Sequence, residues 1–132
     1  MSYLLDTHTL LWALFEPSRL GRKGAEIINN ADVTILVSVV SFWELSLKYA
    51  IGKLELSNVT PDDFPGLVRQ AGFDVLPLAE ADAATFHRLP RREHSDPFDR
   101  LLIWQAISRK LTFITKDKAC TAYTKQGLKV VW

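Results

Sequence analysis

Apolar positions along the chain fall into two textures: short unbroken runs, and longer stretches where they recur every three or four residues. The unbroken runs are Ser2–Leu5, Val33–Val37, Phe73–Leu76, Leu111–Ile114 and Leu128–Trp132. Their length and β-branched content suit strands buried on both faces. Between them the period is helical. Leu10–Phe15 is apolar all round and is stopped by Glu16-Pro17-Ser18. A second helix is expected over about 22–30, with Ala25, Ile28 and Ala31 on one side. Ser41-Phe-Trp-Glu44 has capping-box spacing and opens a helix that Gly52 closes. Thr60-Pro-Asp-Asp63 starts another, ending at Gly72 with Val68 and Ala71 facing in. Helices are also expected over 80–89, ended by Pro90, and in a short segment through Tyr123, stopped by Gly127. Strands alternating with helices predict right-handed crossovers and a parallel sheet covered on both faces, an α/β fold. No repeat, linker or low-complexity segment interrupts it, so residues 1–132 are read as one domain.

The segment from His94 to Ala106 holds the most chemistry. Asp96 sits at a cap position, Pro97 at the first helical position and Asp99 at the third, with Leu102, Ile103, Ala106 and Ile107 on a core face. In a parallel sheet every strand exits at the same edge, where ligands bind. Asp6 ends the first strand, Glu44 begins the helix after the second, and Asp117 follows the exit of the fourth. The Asp99 helix runs antiparallel to the sheet, which brings its N-terminus to that edge too. Three of the four also have a plainer explanation, Glu44 and Asp99 as capping residues and Asp117 as a turn residue. Their shared edge favours convergence on one crevice.

Converging carboxylates repel unless a cation intervenes. Lys48 and Lys116 can each pair with one acid, but no lysine cluster serves all four. An all-oxygen donor set suits Mg²⁺ or Mn²⁺ rather than zinc. The chemistry such a site supports is metal-assisted phosphodiester hydrolysis. Net charge is only +1, so nucleic-acid contacts must come from a local group. Arg88, Arg91, Arg92, His94 and Arg100 form the densest one, and Arg91, Arg92, His94 and Arg100 are the expected phosphate contacts. A single cysteine, Cys120, excludes an intramolecular disulfide and a cysteine-rich zinc site. Ser41, Ser95 and Ser108 lack a nearby histidine–acid pair, so nucleophilic serine catalysis is not expected. No apolar run approaches the roughly twenty residues of a membrane span, and the N-terminus lacks a signal pattern, so a cytoplasmic protein is expected. Trp12, Phe15, Trp43, Tyr49 and Trp104 are expected in or near the core, with a partner-binding surface as the alternative.

Four segments, Leu4-Leu-Asp-Thr-His8, Ser41-Phe-Trp-Glu-Leu45, Asp96-Pro-Phe-Asp-Arg-Leu-Leu102 and Ile114-Thr-Lys-Asp117, closely resemble the signatures of PIN-domain ribonucleases. The likeness is best with VapC-type toxins of bacterial toxin–antitoxin pairs and extends, in order, to Leu128–Trp132. The resemblance implies a three-layer α/β/α sandwich with a central, mainly parallel sheet. It implies a Mg²⁺- or Mn²⁺-dependent RNA endonuclease whose acidic quartet is Asp6, Glu44, Asp99 and Asp117. Thr7 matches a small hydroxyl position after the first aspartate, and Asp96 is assigned as a helix cap or as support behind the metal ligands. The resemblance further implies a homodimer and a VapB-like antitoxin, joined in a toxin–antitoxin hetero-oligomer. The antitoxin would lie along the helices around Leu10–Phe15 and Phe42–Ile51. Two alternatives stand beside this reading: a structure-specific DNA nuclease using the same acids and metal, and a non-catalytic binding module in which the acids only cap helices.

Overall fold

The computed structural model describes residues 1–91 and 94–132. Five strands, β1 (Ser2–Leu5), β2 (Thr34–Ser38), β3 (Asp74–Leu76), β4 (Thr112–Ile114) and β5 (Lys129–Val131), form one sheet in the order β3-β2-β1-β4-β5. Every pairing is parallel, as the alternation of strands and helices requires. The helices are α1 (Thr7–Phe15), α2 (Arg22–Ile28), α3 (Val39–Ala50), α4 (Phe64–Gln70), α5 (Glu80–Thr85) and α6 (Pro97–Arg109). Short 3₁₀ turns cover Pro17–Arg19, Pro61–Asp63, Phe86–Arg88 and Lys118–Gln126.

Alternation along the strands divides the core into two layers. Leu4 and Phe113 pack with Leu102, Ile103 and Ala106 of α6 and with Tyr123. Tyr3, Leu5 and Ile114 point the other way, toward Leu10 of α1 and Phe64 and Val68 of α4. Each fully buried leucine or isoleucine contributes about 1.5–3 kcal/mol. The result is the expected three-layer α/β/α sandwich. The strand order reverses at β1, with β2 and β3 added on one side and β4 and β5 on the other, all parallel. The Asp6 amide closes that seam by donating to the Ile114 carbonyl at 3.2 Å. This is the switch point at which α/β sheets open a crevice.

Gly52 (φ 76°) and Gly127 (φ 98°) are left-handed, which is why they end the preceding segments as expected. Other boundaries shift. α3 begins at Val39, with no loop after β2, and its cap is Ser38, whose hydroxyl accepts from the Val40 amide at 3.0 Å. Ser41 and Glu44 therefore lie inside the helix and form no capping box. The 80–89 helix is α-helical only to Thr85 and tightens to 3₁₀ before the buried Leu89. The segment through Tyr123 is 3₁₀ throughout. Ala71, at the end of α4, is exposed, and Phe64 takes the inward position beside Val68. α2 stops at Ile28, leaving Ala31 outside it and exposed.

Candidate active site

Three of the four acids line one open cleft of about 690 Å³ at the switch point: Asp6 from the end of β1, Asp99 from the first turn of α6, and Asp117 beyond β4. Asp6 is held from two sides. Its Oδ1 caps α1 by accepting from the Thr9 amide at 2.7 Å, and its Oδ2 accepts from the Thr115 hydroxyl. The same Thr115 oxygen accepts from the Asp117 amide at 3.1 Å, so one buried threonine ties two of the acids together. Asp117 caps the following turn, accepting from Ala119 N at 3.0 Å, and its other oxygen pairs with His94 Nε2 at 2.7 Å. Asp96 caps α6, accepting from the Phe98 and Asp99 amides at 2.8 and 3.2 Å. Its contacts match the capping role expected of it. Asp96→Asn should leave α6 nearly as stable, because asparagine caps well, whereas Asp96→Ala should cost about 1 kcal/mol in urea denaturation.

Glu44 stands apart from the other three. It is 2% exposed in the second turn of α3 and lines an adjoining cleft with Thr7, His8 and Lys48. Thr7 donates to Oε1 at 2.7 Å and lies 3.0 Å from the Ser41 hydroxyl, while the Lys48 ammonium pairs with Oε2. Burial alone would lower the Lys48 pKa, but the Glu44 contact, with the charges of Asp96 and Asp99, outweighs it and raises the pKa. Removing the ammonium leaves a buried carboxylate oxygen without its partner. Lys48→Met should therefore destabilise the fold by about 1–3 kcal/mol in urea, and adding Glu44→Gln should recover much of that.

Asp99 is the acid left uncompensated. No donor or cation among the described residues lies within pairing distance of its carboxylate, and its pKa is pushed up to about 6. Desolvation contributes most, followed by the charges of Asp96, Glu44 and Asp6, with His94 opposing. Among the described residues, the one set of three metal-competent donors within 4.8 Å of one another is His94, Asp117 and Cys120. The three cleft aspartates are spread more widely. Mg²⁺ or Mn²⁺ usually takes only one or two protein carboxylates and keeps several waters, so it does not need all three. Asp99, uncompensated and lining the same cleft as Asp6, could hold such an ion. Cys120 is buried and its thiol is pushed up to about 12, by burial first and then by Asp117, Asp6 and Asp99. It is a neutral core residue at physiological pH.

The expected basic rim is rearranged. The Arg100 guanidinium turns inward, donating to the Leu89 and Pro90 carbonyls at 3.1 and 3.2 Å and stacking over Phe86. It fastens the chain ahead of α6 and does not face the cleft. His94 is 6% exposed on its side chain and contacts Asp117 and the Tyr123 ring. Arg91 is exposed, and Arg92 lies outside the described residues. The cations that do line the acidic cleft are Arg19, Lys116 and Lys118, together with His8 and Trp12. From the sequence Lys116 stands out only as a partner for one acid; its grouping with Arg19, almost a hundred positions away, needs the fold. Phe15, Trp43 and Tyr49 are exposed rather than in or near the core, which leaves the alternative of a partner-binding surface for them. Trp43 and Leu47 of α3 and Ile51 at its C-terminal cap, spaced four apart, form an exposed apolar stripe.

Residues 3–125 match the family model of the PIN domain, and the chain belongs to that family. It is 29% identical over 132 residues to ribonuclease VapC22 of Mycobacterium tuberculosis, covering 98% of this chain and 97% of the relative. The fold is similar to a DNA-bound VapBC from Salmonella typhimurium (TM-score 0.67, 18% identity, 99% of this chain and 97% of that one). It is also similar to VapBC2 from Rickettsia felis bound to a DNA fragment from the promoter (TM-score 0.66, 17% identity, 99% and 98%). FitAcB from Neisseria gonorrhoeae shares it as well (TM-score 0.63, 20% identity, 100% and 97%).

Proposed function

We propose that this chain is a Mg²⁺- or Mn²⁺-dependent endoribonuclease and the toxin of a toxin–antitoxin pair. The observation that carries the reading is the convergence of Asp6, Asp99 and Asp117 from three separate segments on one cleft, with the Asp99 carboxylate uncompensated. Its relative's designation as a ribonuclease of the VapC group supports the choice of RNA. Asp99, with Asp6 and Asp117 lining the same cleft, would hold the ion, which would supply a water of lowered pKa and neutralise charge developing on the phosphate. The chain's own residues set the geometry. Thr115 and the Thr9 amide fix the direction of Asp6. The Asp96 cap fixes the first turn of α6 and with it Asp99. The Thr115 contact to the Asp117 amide fixes the exit of β4. Glu44, tied to Thr7 and Lys48, completes the quartet from the adjoining cleft and adds negative potential at Asp99.

The likeness to toxin–antitoxin complexes supports an inhibitory VapB-like antitoxin. Its apolar helix would lie on α3 over Trp43, Leu47 and Ile51, or in the groove between α1 and residues 54–59. The unit is residues 1–132, paired as a homodimer. None of the described helices is long and apolar enough to cross a membrane.

The test is incubation of the purified chain with a single-stranded RNA and a DNA of the same sequence, with Mg²⁺ or Mn²⁺ and in excess EDTA. Cleavage of RNA alone, and only with metal, is expected. Equal cleavage of the DNA would establish the DNA-nuclease alternative, and no cleavage of either would leave a binding module.

A further inference from the structure

The acidic cleft has an asymmetric rim. On the α6 side the basic candidate Arg100 is tied to backbone carbonyls. On the α1 side the wall is cationic and exposed, formed by Arg19, Lys116 and Lys118 with Trp12 among them. Trp12 organises that wall. The Arg19 Cζ lies 4.8 Å from the centre of its ring and the Lys116 Nζ 5.8 Å from it. Both distances are those of cation–π contact. The indole is braced from behind by Trp132, edge-on at 5.7 Å, and lies 5.9 Å from the His8 ring. Two cations from opposite ends of the chain are thereby held at one place beside the carboxylates. Glu16 is the acid that pairs with Arg19, and it does so only loosely, at 3.5 Å between exposed groups.

We propose that the Arg19–Trp12–Lys116 cluster, extended by Lys118, is the phosphate-binding subsite that holds single-stranded RNA next to the acidic cleft, with Trp12 as the residue that positions both cations. The proposal rests on the ribonuclease reading and deepens it by placing the substrate backbone. A cleft lined by carboxylates repels a phosphate chain, so affinity for the strand must come from cations beside the acids. Among the described residues these are the cations lining that cleft. Cations interleaved with an aromatic ring in a groove are how proteins hold single strands without reading sequence.

The experiment measures binding of a fluorescent single-stranded RNA in EDTA, where no cleavage occurs, across a salt series, and separately kcat and KM with Mn²⁺. Arg19→Gln with Lys116→Gln should weaken RNA binding about tenfold or more at low salt and reduce the slope of log affinity against log salt by about 1.4, roughly 0.7 per phosphate contact. KM should rise accordingly while kcat changes less than about twofold. Both residues are exposed, so the fold should be unaffected. Trp12→Leu should reproduce the KM effect with both cations still present, and Trp12→Phe should restore most of it, because phenylalanine keeps an aromatic face. A Lys23→Gln control, outside the cleft lining, should leave the slope less altered than either. An unchanged slope in the double variant, with wild-type protein still binding and cleaving RNA, would overturn this subsite and leave the ribonuclease reading standing. Wild-type protein that binds no RNA would overturn both. A double variant that keeps its RNA affinity but loses its antitoxin would overturn the subsite and make the wall a protein-docking surface.

Discussion

Asp99→Asn is expected to abolish metal-dependent RNA cleavage while making the protein more stable in chelator. The two effects have one origin. The Asp99 carboxyl is partly desolvated and faces Asp96, Glu44 and Asp6, which together raise its pKa from 3.8 to about 6. A raised acid pKa means the folded state binds the proton more tightly than the unfolded one. Stability is therefore highest below about pH 4 for this group and is lost as pH rises through 6. The half-open cleft screens the charges, which discounts the loss at neutral pH to on the order of 1 kcal/mol. The amide removes the charge and keeps the shape. Melting in EDTA at pH 7.5 should then rise by roughly 3–5 °C, with the gain vanishing near pH 4. Cleavage should fall by at least about a hundredfold, since even groups that only support a metal ligand are worth 10–100-fold. Mn²⁺ should stabilise the wild type and not the variant. An Asp99→Asn protein less stable than wild type at pH 7.5 would place the carboxylate in a structural role.

Asp6→Asn should be equally inactive, and its stability should barely change. The Asp6 side chain has two structural contacts, the cap to the Thr9 amide and the hydrogen bond from Thr115. Asparagine can reproduce both. Its carbonyl oxygen accepts from Thr9 N, and its NH₂ can donate to the Thr115 oxygen if that hydroxyl rotates. What is lost is the negative charge at the centre of the cleft. Cleavage should drop by at least about a hundredfold while the urea midpoint stays within about 0.5 kcal/mol of wild type. Asp6→Ala, by contrast, should also lose about 1 kcal/mol from the missing cap. Near-wild-type cleavage by Asp6→Asn would remove Asp6 from the metal set. A large loss of stability in Asp6→Asn would show that the hydrogen-bond exchange at Thr115 fails.

Residues whose role depends on their near neighbours were legible in the sequence. Asp96-Pro97-Phe98-Asp99 places a cap, a helix start and a first-turn acid within four positions, and the structure has all three. Unbroken apolar runs located the five strands, and the strand-exit rule brought Asp6, Asp99 and Asp117 together across 111 positions. Reading failed where a distant partner decides the outcome. Ser41-Phe-Trp-Glu44 has capping-box spacing, yet β2 feeds straight into α3, so the helix starts earlier and both polar residues turn to Thr7. Arg100 looked like part of a phosphate rim because of its basic neighbours, but the carbonyls of Leu89 and Pro90 claim it. The cationic wall was invisible because Trp12, Arg19 and Lys116 meet only after β1 and β4 have paired. Trp43 was expected in or near the core by default, with a partner-binding surface as the alternative; at 62% exposure it faces outward.

On the proposed reading, the cleft lined by Asp6, Asp99 and Asp117 holds the divalent ion on which RNA cleavage depends. This is tested most directly by titrating Mn²⁺ into metal-free protein and recording, on one preparation, ion binding by electron paramagnetic resonance and the rate of RNA cleavage. Binding and rate should follow the same saturation curve. Both should weaken below about pH 6, where a proton competes for Asp99, and both should be absent in excess EDTA. Cleavage that persists at full rate in EDTA, or that saturates without any ion bound, would contradict the account.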